Sequence, residues 1–265
     1  MLFFAFFKVG CKRGNASIDL TMRKKNRRGD NGVVIATVIV AVLFVVAVGY
    51  LIGGNNLVSS VFQKEIKDDT VYYFLTTDTF DDVNIAKQNA LIIRHRGGAG
   101  YVDMREGNRI ILSVYPSEQS AKSVLEKMGD NSVEVSAITI PSNKINMKNK
   151  ALNTASEKAL EYFDIAFEGI YNMSNSLADS TSSIEDIKVQ TSVLRSQIDD
   201  LKSLFYENTK ESDLNEITEI KVALVTCIAI IDGIEITDYA STLSSLRRQA
   251  VQLVYCHQAL AATLS

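Results

Sequence analysis

Tryptophan is absent from this chain, and only two prolines, two histidines and three cysteines occur among 265 residues. Three dispersed cysteines exclude a small disulfide-stapled secreted scaffold. Two histidines leave little material for His-rich metal chemistry, and neither has a Glu three residues ahead of it, so a di-iron bundle motif is missing. No phosphate-binding loop of the G-x-x-x-x-G-K-[ST] type, no H-E-x-x-H and no G-x-S-x-G is found. These absences predict a protein without enzyme activity, cofactor or metal. An apolar content of 46% nonetheless excludes a wholly disordered or collagen-like chain.

The formal net charge of −3 hides a polarity. Residues 1–32 carry eight Lys and Arg against Asp19 and Asp30, whereas residues 148–265 carry ten against seventeen Asp and Glu. Between these regions, residues 33–52 (VVIATVIVAVLFVVAVGYLI) contain no charge. Twenty helical residues rise about 30 Å, the hydrocarbon thickness of a bilayer. The segment is too long for a strand, so it reads as a single transmembrane helix. Arg23, Lys24, Lys25, Arg27 and Arg28 precede it, and the next lysine is Lys64. The positive-inside rule then places the N-terminus in the cytoplasm, the helix in the cell membrane and the C-terminal regions outside. A cleaved signal peptide ending near Val58-Ser59-Ser60 is the rival reading, although a signal core usually runs about 7–15 residues. The basic cluster abuts the membrane and meets anionic lipid, which argues against nucleic acid as a partner. Residues 1–21 lack a basic start, and Met22 followed by RKKNRRGDNG reads as the more natural beginning of the cytoplasmic tail.

Beyond a linker at 53–68 the pattern changes. Aromatic and β-branched residues 71–77 predict a strand. Asp81 or Asp82 caps a helix to about His95, which Gly97-Gly98-Ala99-Gly100 ends. Residues 101–104 and 109–115 predict two strands joined by Glu106-Gly107-Asn108. Pro116-Ser117 opens a helix to about Met128, and residues 133–140 close the region with a fourth strand. The order βαββαβ predicts a ferredoxin-like domain over 69–141. Arg94, His95 and Arg96 have an anion-binding composition, but cations at a helix end also complement its dipole.

The segment 72–128 resembles the SPOR domain, a peptidoglycan-binding module of bacterial envelope proteins. Tyr72-Tyr73 followed by Phe80, and Arg109, Ile110, Leu112, Ser113, Tyr115, Ser117 and Ala121, follow that family's outline. Leu75, Thr77 and Ser113 depart from it, standing where the family usually has Gln, Gly and Gly. The resemblance implies peptidoglycan glycan strands as a partner, and a role in cell division or sporulation. Strict alternation places Tyr73, Leu75, Thr77, Arg109, Ile111 and Ser113 on the sheet face away from the helices, the family's glycan-binding surface. On that reading Tyr73 stacks on a sugar and Arg109 grips hydroxyls or a carboxylate. The competing reading makes the face a packing surface covered by the C-terminal region, in a membrane-tethered scaffold.

Residues 147–265 contain no proline and repeat apolar positions at 3–4 spacing. Four seams emerge, led by Ala159-Phe163-Ala166-Ile170, Ile187-Leu194-Ile198, Ile217-Leu224-Ile228 and Leu243-Leu246-Ala250. They predict four amphipathic helices broken near residues 179–181, 211–212 and 237–238. Ser182 with Glu185, and Asp213 with Glu216, have capping spacing. The helices form an antiparallel bundle within one chain, or pair between chains in a homo-oligomer, and offer a surface to a protein partner. Cys227 and Cys256 lie on apolar faces as buried thiols or as a bridge, and His257 reads as a packed core residue. The expected whole is an α+β chain: a membrane helix, a ferredoxin-like SPOR-like domain and a four-helix bundle-like region.

Overall fold

Eight residues from Thr70 to Thr77, rich in aromatic and β-branched side chains, form the central strand of the molecule. The computed structural model describes residues 69–105, 107–130, 132–141, 150–210, 212 and 214–264. The basic tail, the apolar segment 33–52 and the choice of Met22 as start lie outside these residues. Among the described residues, no helix is long and apolar enough to cross a membrane.

The order along the chain is β1 (Thr70–Thr77), α1 (Val83–His95), β2 (Tyr101–Asp103), β3 (Arg109–Tyr115), α2 (Glu118–Met128) and β4 (Val133–Ile140), followed by four helices. The strands pair antiparallel in the order β2-β3-β1-β4. Local chemistry sets the boundaries. Asp82 caps α1 by accepting from the Asn84 amide at 2.7 Å. Ser117 caps α2, whose far end turns at Gly129 in the left-handed conformation, φ +61°. The β2–β3 turn uses positive φ at Gly107 and Asn108, and the Asn108 amide donates to the Phe80 carbonyl at 2.9 Å.

The four later helices are α3 (Lys150–Ala178), α4 (Ile184–Thr209), α5 (Asn215–Asp232) and α6 (Tyr239–Leu264). Each packs on the next, and α6 returns to α3. The predicted seams point inward: Ala159, Phe163, Ala166, Ile170, Ile187, Ile198, Ile217, Leu224 and Leu246 are almost completely buried. Leu214, just before α5, and Tyr239, the first residue of α6, are exposed. The capping box of α4 is also one residue later than its spacing suggests: Ser183 accepts from the Asp186 amide, and Asp186 accepts from the Ser183 amide. Cys227 and Cys256 are free thiols, which burial pushes up to about 12 and about 11 respectively.

The protein is thus mixed α+β and mostly helical, with a four-stranded antiparallel sheet and six helices among the described residues. Residues 66–265 form one compact unit. Sheet and helical region share one hydrophobic core, in which Tyr72, Phe74, Ile111, Val114 and Ile140 meet residues of α3 and α6.

Candidate functional site

The sheet has two faces, and helices pack against both. On one, Leu75, Tyr115 and Val133 pack with Ala121, Val124 and Leu125 of α2. Further along, Ile110 and Val102 pack with Ala86 and Ala90 of α1. On the other, Tyr72, Phe74 and Ile111 meet the long helices.

This arrangement divides the six residues expected on one open face. A register shift between Leu75 and Thr76 breaks the pairing of β1 with β3: Leu75 opposes Ser113, while Thr76 opposes Ile111. Leu112 is therefore the extra residue of a β-bulge, and the side-chain phase of β3 reverses there. Arg109 and Ile111 lie on the face toward the long helices. Tyr73, Leu75, Thr77 and Ser113 lie on the face toward α1 and α2. Leu75 is only 1% exposed. Tyr73 packs beside it in the α2 cluster, so its ring is not the open platform expected. Thr77 Oγ1 accepts from the Ile110 amide at 3.1 Å, and Ser113 is buried. The Arg109 guanidinium meets Glu134 of β4 at 2.8 Å.

What fills the second face is a set of aromatic and charged contacts that strand alternation did not single out. Tyr72 donates to Asp164 of α3 at 3.0 Å, and its ring stands edge-on to Phe167 with centroids 4.7 Å apart. Burial, reinforced by the charge of Glu168, raises the Tyr72 phenol far above its ordinary value. Buried His257 stacks on Phe163 at 5.2 Å, with Nδ1 3.9 Å from the Asp164 carboxylate. This supports the reading of His257 as a packed core residue. Phe74 stacks on Tyr255 of α6 at 5.7 Å.

The edge strand adds a charged clasp. Asp103 of β2 accepts from Tyr255 at 2.7 Å and from Arg105 Nε and Nη2, each at 2.9 Å. The Arg105 guanidinium also lies 3.7 Å above the Tyr255 ring. Burial alone would raise the Asp103 carboxyl. The hydrogen bonds from Arg105 and Tyr255 outweigh it and hold the group down at about 2. Its charge is thus satisfied by fixed donors, as a structural carboxylate requires.

The glycine-rich stretch after α1 joins the same contact. Gly97, at φ +84°, lies so close to Leu243 of α6 that a Cβ there would come within 2.9 Å of Leu243 Cδ2. Arg247 of α6 donates to the Gly97 carbonyl at 3.1 Å. These residues serve a helix-end turn that α6 packs against. Among the described residues, no group of three or more His, Cys, Asp or Glu is arranged to hold a metal ion. No known protein family, curated protein or solved structure gives a significant match to the chain.

Proposed function

We propose that this protein is a membrane-tethered, non-enzymatic interaction protein whose ferredoxin-like sheet is a packing base for the helical region and binds no glycan. The observation that carries this reading is the covered face. Tyr72, Phe74, Ile111 and Val114 are each no more than 3% exposed beneath α3 and α6. A sugar chain needs an accessible surface with hydroxyl-matching donors and acceptors, and here those positions are occupied by apolar contacts and by donors already paired. The element order βαββαβ supports the SPOR-like outline as a description of shape. The division of the six expected contact residues between two covered faces weighs against a shared glycan surface.

The uncharged segment 33–52 and the basic cluster before it support a single-span tether with the described unit outside the cytoplasm. The helical side of the unit is then what a protein partner meets. Two measurements test the reading together. A reporter enzyme that works only outside the cytoplasm, fused after Ser265, is active if the topology is right. The detergent-solubilised full chain then fails to co-sediment with purified cell-wall sacculi above the level of an unrelated control. Reporter activity confined to the cytoplasm, or saturable retention on sacculi that Arg109→Ala abolishes, overturns it.

A further inference from the structure

An open β-sheet ends in two edge strands, and each carries a row of backbone N–H and C=O groups that point away from the sheet. The two edges differ here. β2 is three residues long, and its Asp103 is held by Arg105 and by Tyr255 of α6. That edge is short, charged and clasped, which are ordinary protections against further pairing. β4, at the other edge, has eight residues, VEVSAITI. It pairs with β1 through an unbroken register from Thr70↔Ile140 to Thr77↔Val133, with no bulge to twist it away. Among the described residues, β1 is the only strand that pairs with it.

β4 lacks the devices that keep such an edge single. It contains no Pro, Lys or Arg. Its one charged residue, Glu134, pairs across β1 with Arg109 of β3 at 2.8 Å, so its charge is directed inward. Val133 and Ile140 are buried, whereas the six residues between them are exposed or half-buried. Val135 packs in the α2 cluster and Ile138 against the long-helix core, and each is only partly covered. A half-covered apolar side chain thus stands on either face of a regular edge. An added strand would satisfy the backbone and bury both.

We infer that β4 pairs antiparallel with β4 of a second copy, joining two four-stranded sheets into one of eight strands. Symmetry and charge identify the partner. A two-fold axis perpendicular to the sheet keeps each side chain on its own face, so only residues of like parity oppose one another. Ala137 is small, exposed and near the middle of the strand. With the axis there, Ser136 opposes Ile138, Val135 opposes Thr139 and Glu134 opposes Ile140. Two β-branched residues meet at Val135–Thr139, and the one charge never faces its own copy. The assembly closes at two chains, because the guarded β2 edges are left at its ends. β4 belongs to the unit 66–265, so the pairing does not depend on the membrane tether.

Cross-linking tests the pairing in the detergent-solubilised full chain with its three native cysteines replaced by alanine. Ala137→Cys places two thiols within about 5–8 Å of each other across the axis. Copper–phenanthroline should convert most of that variant to a disulfide-linked dimer. Val189→Cys, 64% exposed on α4, should link only at the slow rate of chance collision. Light scattering of the wild-type chain should report two copies per particle. Ala137→Lys sets two like charges at the seam and should weaken the dimer by about tenfold or more. Its circular dichroism spectrum should stay unchanged, because the position is exposed. Single-chain particles throughout the accessible concentration range overturn the proposal. So does linking at 137 no faster than at 189, or a dimer equally tight in Ala137→Lys.

Discussion

Tyr255 of α6 donates to Asp103 of β2 at 2.7 Å, across 152 residues of chain, and so ties the edge strand of the sheet to the last helix. The same carboxylate is gripped by Arg105, which lies over the Tyr255 ring. The three side chains form one unit, and its stability depends on the charge of Asp103.

That charge gives a pH dependence with a definite sign. The folded carboxyl titrates at about 2, below its ordinary value of 3.8. Its contribution is therefore fully present above about pH 4 and fades as pH falls toward 2. Asp103→Asn should lower stability by about 1–2 kcal/mol at neutral pH, discounted for the solvent around Arg105. The gap between wild type and variant should narrow steadily below pH 4. Urea melts at a series of pH values measure this, and a gap constant with pH shows that the charge contributes nothing.

The turn after α1 is a second point of strain sensitivity. Gly100 adopts φ +50°, and a Cβ there would fall 2.3 Å from the Ala90 carbonyl oxygen and 2.6 Å from Arg94 Cγ. Gly100→Ala should destabilise the unit by on the order of 1–3 kcal/mol, seen as a lower Tm by circular dichroism. An unchanged Tm would mean that the turn relaxes without loss.

Within the helical region, Ile198 is completely buried, whereas Leu201, one turn on, is only half-buried. A carboxylate at 198 would be charged and unpaired among apolar side chains. Ile198→Asp should therefore abolish the cooperative thermal transition, and Leu201→Asp should lower it without abolishing it. The reverse ranking would misplace the face that α4 turns to the core.

Much of this architecture is legible in the residues, and the exceptions have physical causes. The limits of β3 and β4, and the breaks between the long helices, follow from alternation, glycine and 3–4 spacing. The phase of β3 does not, because a bulge at Leu112 leaves no mark in an apolar run. In β1, Tyr72, Tyr73, Phe74 and Leu75 are all apolar or aromatic, since helices cover both faces, and alternation has nothing to report. Ser182–Glu185 and Ser183–Asp186 have the same capping spacing, and only the backbone chooses between them. The cleft beside α1 was invisible because Arg94 and Gln249 are brought together only by the packing of α1 against α6. One element of it, Arg94, stood out as a helix-end cation.

The shared core also predicts how the pieces behave apart. Residues 147–265 alone would leave bare the helix surfaces that Tyr72, Phe74 and Ile111 cover. That fragment should melt well below the longer unit 66–265, or fail to melt cooperatively. Equal Tm values would show that the sheet adds nothing to the helices.

The central claim is that the sheet face carrying Tyr72, Phe74 and Val114 is closed. Thiol labelling tests it most directly, in the full chain with its three native cysteines replaced by alanine. Val114 is 2% exposed and Val189 is 64% exposed, so Val114→Cys and Val189→Cys provide a covered position and an accessible control. Under native conditions a polar maleimide should label Cys at 189 rapidly and Cys at 114 only after denaturant is added. Labelling of both positions at similar native rates would show that the face is open, and the packing-base account would fail.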